Sequence, residues 1–328
     1  MLRQLAACLS DKEFRSGEAI SEQLGCSRIA VWKHIQSLRN VGIEIDAVDG
    51  QGYRLKQALE LLDTETILAE MDQQAGIKLS TLKIEASVDS SNSALQRLPL
   101  AEQHGTAILA EHQTSGRGRR GRQWHSPFGR NVYLSLGWRF EQSLSELGCL
   151  PLVVALSAAE ALSRAGLEGH CLKWPNDVLL DGKKLCGCLV EVQGDAHGPC
   201  NAVLGVGVNV HMPATAASTE IDQPWTDLSS QLPNCSRNKL AALLLEELLR
   251  QVSLFAEQGF APFKDRWQRW DGLYGQRVQV TAGSQTLGGT VKGIDDSGAL
   301  LLDTGEQVLT LHSGEVSLRG SNFNAGDR

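Results

Sequence analysis

The spacing of apolar residues in the N-terminal part of the chain is helical before it becomes strand-like. Apolar residues recur three and four apart at Leu2, Leu5, Ala6 and Leu9, which predicts a first helix. A second helix fits residues 18–24 and ends at Gly25, after which Ser27 can act as the N-cap of a third. The residues expected on the inner face of this third helix are Ile29, Ala30, Ile35 and Leu38.

A short hairpin is predicted after the third helix. Ile43 and Ile45 alternate with polar residues, and the run Asp49-Gly50-Gln51-Gly52 supplies the turn. Helix, turn, helix and hairpin in this order predict a winged helix-turn-helix domain, which we place at residues 1–62.

The remaining chain mixes strand-like runs rich in Val, Ile and Leu with longer helical patterns. The predicted strands are Thr106–Glu111, Val132–Trp138, Leu185–Val192 and Val203–Val210, and the predicted helices are residues 151–165 and 237–258. Because strands and helices do not alternate regularly, we expect an α+β domain at residues 63–270. Short strands separated by Gly-rich turns follow, which predicts a small antiparallel barrel at residues 271–328.

Composition narrows the class of protein without defining its chemistry. The 328 residues are 42% hydrophobic and 21% charged, which is ordinary for a globular protein and excludes disorder of the whole chain. No apolar run approaches the length of a membrane span and the N-terminus lacks a secretory signal, so we expect a cytoplasmic protein with no membrane partner. The eight cysteines include no C-x-x-C pair, which disfavours a zinc site or a disulfide scaffold.

The third helix has the composition of a DNA-reading helix. The whole chain carries a formal charge of −7, but residues 27–39 contain no acid. Cations can contact phosphates and polar tips can contact base edges. We therefore expect Ser27, Arg28, Lys33 and His34 to contact DNA. The alternative is a helical packing module with a solvated charged face.

An arginine- and glycine-rich loop lies in the central part of the chain. Residues 116–121, GRGRRG, match G-x-G-x-x-G by letter, but a strand rather than a helix is predicted after them, which excludes a Rossmann loop. Residues 113–140 contain six arginines and no acid. Glycines allow a ligand to approach the backbone and arginines donate to phosphate or carboxylate, so the loop predicts an anion-binding site.

Further polar clusters lie beside predicted strands. They are Asp89-Ser90-Ser91-Asn92, Lys173-Trp174-Pro175-Asn176-Asp177, Lys184, and Asn209 at the end of a Gly-rich strand. No His/Cys/Asp array predicts a metal enzyme, and no nucleophile elbow is present in the sequence. The expected chemistry is therefore electrostatic positioning of an anionic reaction rather than covalent catalysis.

Taken together and in this order, the motifs resemble the bifunctional biotin–protein ligases, which also repress the biotin operon. The resemblance covers nearly the whole chain and implies a central fold similar to class II synthetases, followed by an SH3-like barrel. It implies that biotin and ATP, with magnesium, form biotinyl-5′-AMP, and that the biotinyl group passes to a lysine of biotin carboxyl carrier protein. It further implies that biotinyl-5′-AMP acts as corepressor and promotes a homodimer on operator DNA.

The resemblance also implies roles for individual residues. Those expected to bind biotin are Ser90, Ser91, Asn92, Gln113, Arg117, Gly118, Arg119 and Lys184. Trp124 is expected to stack on the adenine ring and Asn209 to bind its edge, while Asp177 is a candidate magnesium ligand.

The residues alone leave two alternative functions open. The chain could be a biotin-sensing repressor without ligase activity, which the intact arginine loop and Lys184 disfavour. It could also be a lipoate-type ligase, which the helix-turn-helix pattern and the run of residues 173–177 disfavour.

Overall fold

The computed structural model describes residues 1–72, 76, 78–194, 198–213, 221, 223–282 and 285–318. Three regions follow one another along the chain, and two hydrophobic cores hold them together. No helix among these residues is both long and apolar enough to cross a bilayer.

The N-terminal region has three short helices and a two-stranded hairpin. Its elements are α1 (Leu2–Cys8), α2 (Gly17–Leu24), α3 (Arg28–Asn40), β1 (Ile45–Val48) and β2 (Gly52–Leu55). Helix α2 ends at Gly25, which adopts a left-handed φ of 61°, and the Ser27 hydroxyl accepts a hydrogen bond from the Ala30 amide at the start of α3. The expected helix-turn-helix and hairpin are therefore confirmed.

One expectation for α3 is wrong, because Ile29 does not lie on the inner face. Val31, Ile35 and Leu38 are buried, whereas Ile29 is 71% exposed. The buried residues are four and three positions apart and so form one stripe along the helix. Ile29 precedes Ile35 by six positions, which places it about 120° around the helix from that stripe.

The central region is built on a seven-stranded mixed sheet. Its strands are β3 (Thr81–Glu85), β4 (Thr106–Ala110), β5 (Val132–Phe140), β6 (His170–Lys173), β7 (Asp177–Leu180), β8 (Lys183–Gly194) and β9 (Cys200–Val208). The strand order is β3-β4-β5-β9-β8-β7-β6, with β3 and β4 parallel and the other neighbours antiparallel. This arrangement confirms the α+β class, and the four predicted strands all form.

Helices cover the two faces of this sheet unequally. The helices are α4 (Thr64–Glu70), α5 (Ser91–Gln96), α6 (Leu100–Gln103), α7 (Leu150–Arg164), α8 (Arg237–Gln258) and α9 (Ala261–Trp270). Helices α7 and α8 pack together on one face, where Leu204, Val206 and Val208 of β9 join the main core. Because side chains alternate along a strand, Gly205 and Gly207 lie on the opposite face, beside α5.

The C-terminal region is a five-stranded antiparallel sheet. Its strands are β10 (Arg277–Ala282), β11 (Gln285–Ile294), β12 (Leu300–Asp303), β13 (Val308–Leu311) and β14 (Glu315–Leu318), in the order β13-β12-β11-β10-β14. Val278, Val280 and Leu300 belong to the same hydrophobic core as the central sheet. The Trp174 indole also donates a hydrogen bond to the Gly298 carbonyl at 3.0 Å, so the two regions are packed together.

The core of the N-terminal region includes one residue from the central region. Phe128 follows the arginine loop, yet it is fully buried in the cluster formed by Leu5, Ile20, Ile35 and other N-terminal residues. Leu59 joins the same cluster. The segment that carries the arginine loop is thus anchored in the core of the helix-turn-helix region.

A buried ion pair and the hydrogen bonds around it join the linker, residues 60–62, to three central elements. Arg237, at the start of α8, donates to Glu111 Oε2 at 2.8 Å and to the Asn131 carbonyl at 2.8 and 3.0 Å. It also donates to the Glu60 carbonyl, and Glu111 Oε1 accepts the Leu62 amide at 2.7 Å. We call these five residues the Arg237 junction. The side chains of Arg237 and Glu111 are 1% and 0% exposed.

We expect Phe128→Ala to destabilise the N-terminal region by removing a ring from its core. Substitutions of this kind lower the free energy of unfolding by about 3–5 kcal/mol. Urea unfolding followed by far-ultraviolet circular dichroism measures the change. Leu100→Ala, at an exposed position of α6, is the control and should change little. Equal, small effects of both variants would contradict this packing.

Candidate functional site

A cavity of about 320 Å³ lies on the β9 glycine face of the central sheet, under the arginine loop. The loop, the segment 173–177, strands β8 and β9, and the start of β14 all contribute to its wall. The predicted residues that line it are Ser90, Ser91, Asn92, Gln113, Arg117, Gly118, Arg119, Trp124, Asp177 and Lys184. Asn209 instead lines a smaller adjoining cavity, together with Trp124 and Trp225.

One end of the cavity is a connected set of buried hydroxyl and amide groups. Gln113 Oε1 accepts from the Ser91 amide at 2.8 Å and from its hydroxyl at 3.2 Å, and Gln113 Nε2 donates to Ser126 Oγ at 2.9 Å. Ser135 Oγ is 2.8 Å from Ser91 Oγ. These bonds fix the orientation of the Gln113 amide, so the cavity presents preorganised donors and acceptors to a small polar ligand.

Asn92 is held from both sides of its amide. Its Oδ1 accepts from Ser135 Oγ at 2.5 Å, and its Nδ2 donates to Glu191 Oε2 at 2.8 Å. The same Glu191 oxygen pairs with Arg117 at 2.7 Å. Glu191 therefore links the loop to the polar end of the cavity.

Two glycines of β9 make room for the side chains that face the cavity. A Cβ atom at Gly205 would lie 2.4 Å from Asn92 Oδ1, and one at Gly207 would lie 2.6 Å from Trp124 Cε2. Both distances are shorter than non-bonded contacts allow. The absence of a Cβ at Gly205 and Gly207 thus lets the Asn92 amide and the Trp124 ring approach the strand closely.

The arginine loop is held closed by residues from two other segments. Arg119 Nη1 donates to Asn176 Oδ1 at 3.1 Å. Glu315, the first residue of β14, accepts a hydrogen bond from Arg122 and lies 3.7 Å from Arg120. The hydrogen bond from Arg122 contributes most to lowering the pKa of Glu315, and burial lowers the pKa of the Arg119 guanidinium.

The opposite wall carries two lysines and a carboxylate. Lys184 Nζ lies 2.9 Å from Asp177 Oδ1 and 5.4 Å from the centre of the Trp124 ring. Burial lowers the pKa of Lys173, which also lines the cavity. Altogether six cationic side chains line the cavity beside two carboxylates, so it suits an anionic ligand.

Of the two carboxylates that line the cavity, Asp177 is the candidate metal ligand, while Glu315 is paired with Arg120 and Arg122. No cluster of three or more His, Cys, Asp or Glu side chains among the described residues could hold a metal. Magnesium, however, commonly binds through one or two carboxylates together with substrate phosphates. Asp177 fits that mode only when a phosphate ligand shares the cavity.

The residues predicted to contact DNA lie along α3. Arg28 and Lys33 are exposed and His34 is half-buried. Ser27 is exposed, but its hydroxyl caps the helix by accepting from the Ala30 amide at 3.2 Å. The hydroxyl therefore has a structural role besides any contact with DNA.

The sequence analysis missed residues that the fold brings to the cavity from far along the chain. Glu191, Ser135 and Glu315 carry no local motif, and Trp225 reaches the smaller cavity through its pairing with Lys184. One pattern could have indicated Glu315. The arginine loop contains no acid, so its charges require a carboxylate from elsewhere.

Known protein families match all three regions of the chain. The Biotin/lipoate A/B protein ligase family matches residues 85–209, the Biotin protein ligase C terminal domain matches residues 273–319, and an HTH domain matches residues 2–54. These matches define the class of protein as a ligase joined to a helix-turn-helix domain.

Two relatives match nearly the whole length of the chain. The Bifunctional ligase/repressor BirA of Escherichia coli is 39% identical over 318 residues, covering 97% of both chains, and that of Bacillus subtilis is 33% identical over 312 residues, covering 93% and 94%. A biotin protein ligase from Aquifex aeolicus, solved with biotin and ATP, is 31% identical with a TM-score of 0.63, covering 74% of this chain and all of that one. The chain belongs to the family of bifunctional biotin ligase/repressors.

We expect Glu315→Gln to loosen the arginine loop, because it removes the charge that pairs with Arg120 and Arg122. Partly exposed ion pairs contribute up to about 1 kcal/mol, so the open population of the loop should rise by up to about fivefold. Trypsin cleavage between residues 117 and 123 measures this opening. Glu306→Gln, at an exposed position of the turn between β12 and β13, is the control. Unchanged cleavage in Glu315→Gln would show that Glu315 does not hold the arginine loop closed.

Proposed function

We propose that the cavity binds biotin and ATP side by side and joins them as biotinyl-5′-AMP. The observation that carries this proposal is the union of two chemistries in one cavity. A preorganised polar end suits the ureido ring of biotin, and a cationic middle suits a carboxylate next to a phosphate. The indole of Trp124 lines both this cavity and the smaller adjoining one, and it suits the adenine ring.

The residues around the proposed biotin site have separate roles in binding biotin. Ser90, Ser91, Asn92 and Gln113 surround the ureido end, where Gln113 and Asn92 are already oriented by their own hydrogen bonds. Arg117, Gly118 and Arg119 cover the ligand from the loop. Lys184 binds the carboxylate at the cationic middle of the cavity.

The first step is nucleophilic attack by the biotin carboxylate on the α-phosphorus of ATP. A new oxygen–phosphorus bond forms, the bond to the bridging oxygen of the β-phosphate breaks, and pyrophosphate leaves with the electron pair. Two anions must approach each other, and the cations Lys184, Lys173 and Arg119 lower that repulsion. The closed loop also excludes water from the product, which is a reactive mixed anhydride.

Asp177 is the proposed residue for magnesium. A magnesium ion bound with ATP would supply charge neutralisation at the phosphates. Asp177 also orients Lys184 through their ion pair, and this second role does not need the metal.

In the second step, the proposed acceptor is a lysine of biotin carboxyl carrier protein. Its neutral amine attacks the acyl carbon, the carbon–oxygen bond to AMP breaks, and the amine loses a proton as AMP leaves. Opening of the loop between its contacts at Asn176 and Glu315 would admit the acceptor.

The regulatory proposal concerns the N-terminal region. We divide the chain into a DNA-binding domain at 1–62, a ligase domain at 63–270 and a C-terminal domain at 271–328.

We infer that biotinyl-5′-AMP acts as corepressor and stabilises a homodimer that presents two α3 helices to an operator. A ligand can shift this equilibrium only by binding the dimer-competent state better. Sedimentation with and without biotin and ATP should therefore show ligand-dependent association.

The test of the ligase proposal is transfer to an acceptor. The full chain is incubated with ATP, magnesium, apo biotin carboxyl carrier protein and either biotin or lipoate, and the carrier is examined by intact mass spectrometry. We expect one biotinyl group per carrier and no lipoyl group. Transfer of lipoate in preference, or binding of biotin without any transfer, would overturn the proposed reaction.

We expect Lys184→Ala to weaken biotin binding and adenylate formation. The variant leaves the biotin carboxylate without its cation, and hydrogen bonds to charged groups contribute about 1.5–3 kcal/mol, or roughly 10- to 150-fold in affinity. Calorimetry measures the affinity, and pyrophosphate release measures the reaction. Lys183→Ala is a matched control, because Lys183 is the exposed neighbour on β8. An unaltered affinity in Lys184→Ala would remove it from the site.

A further inference from the structure

Two large apolar side chains lie exposed and adjacent on the outer face of α3. Ile29 is 71% exposed and Trp32 is 55% exposed, and residues three apart share one face of a helix. We call this pair the α3 patch. In the described part of the chain, no other helix or strand carries more than one exposed large apolar side chain. Single exposed apolar residues are ordinary, whereas an adjacent pair on a functional helix calls for a partner.

The side chains around the patch are cationic or polar. Arg28 and Lys33 are exposed next to it, and Gln36 is one further turn along the same line as Ile29 and Lys33. No acid occurs within residues 27–39. The partner must therefore offer anionic groups on either side of a narrow apolar strip.

The major groove of duplex DNA has this arrangement. Phosphates border the groove, and the only apolar group that base pairs present within it is the C5-methyl of thymine. Recognition helices contact base edges mainly through their N-terminal residues. Ile29 is the second residue of α3 and Trp32 lies on the next turn, so the α3 patch is at the end of the helix that approaches the bases.

We propose that the α3 patch recognises thymine methyl groups in each operator half-site, with Ile29 making the main contact. The inference rests on the proposed DNA-binding function and adds the chemistry by which α3 selects its sequence. The Ile29 side chain can neither donate nor accept a hydrogen bond, so its selectivity comes from burial of a methyl group, whereas the Trp32 indole can also donate one. Such burial changes affinity by about fourfold per methyl.

The test compares thymine with uracil, which lacks the methyl group but keeps the same hydrogen-bonding edge. Duplexes are first selected from a random library with the full chain in the presence of biotin and ATP. The selected duplex is then prepared with deoxyuridine in place of thymidine, first throughout and then at single positions. Affinities of the wild type and of Ile29→Ala for both duplexes form a double-mutant cycle.

We expect the wild type to lose about fourfold per critical thymine and Ile29→Ala to lose nothing at the single uracil position that Ile29 contacts. Trp32→Ala should show the same pattern more weakly. Ile29→Ala should retain full carrier biotinylation, which confirms that it is folded. The inference is overturned if the wild type binds both duplexes equally, or if Ile29→Ala loses as much as the wild type.

Two other outcomes separate this inference from the function on which it rests. If the wild type enriches no sequence, and Arg28→Ala and Lys33→Ala do not alter DNA affinity, the proposed DNA-binding function itself fails. If instead Arg28→Ala and Lys33→Ala weaken binding while uracil has no effect, only the methyl readout fails. A change in self-association of Ile29→Ala without DNA would make the α3 patch an interface between copies and would also overturn the inference.

Discussion

The Arg237 junction is the interaction on which the arrangement of this molecule depends. One guanidinium, 1% exposed, bonds to the end of β4, the start of β5 and the linker, while belonging to α8 itself. A buried pair of this kind need not add net stability, but loss of either partner leaves an uncompensated buried charge. The junction therefore fixes where the linker leaves the central region. Phe128 is buried in the other core, so the segment that follows the arginine loop packs directly against α3 and its neighbours.

This connection gives the two activities a physical relationship. Trp124 packs against Gly207 inside the cavity, and Phe128 is buried in the N-terminal core only four residues later. A ligand that stacks on the indole thus acts on a segment whose other end belongs to the helix-turn-helix region. Glu315 adds the third region, because it holds the same loop from β14. Each region of the chain therefore contacts the arginine loop or the segment that follows it.

Local patterns predicted the elements and most of the cavity. Periodicity and caps identified α3 and α8, and composition identified the arginine loop, because those features depend on neighbours in sequence. Ile29 was misplaced because apolar character alone does not distinguish a core face from a binding face. The absence of acids from the arginine loop indicates that carboxylates from elsewhere pair with it, but not that these are Glu315 and Glu191. Those residues and the Arg237–Glu111 pair lie 74 to 193 residues from their partners, and only the tertiary fold brings them together.

Hydrogen exchange of the N-terminal core amides tests most directly whether the cavity and the reading helix form one cooperative unit. The full chain is compared with and without biotin and ATP, and exchange is followed at Leu5, Ile20 and Ile35. If opening of the N-terminal core requires loss of the ligand site, protection there should rise with ligand concentration in parallel with that of β9. Rising protection in β9 with none in α1–α3 would show that the N-terminal region opens alone and would contradict this account.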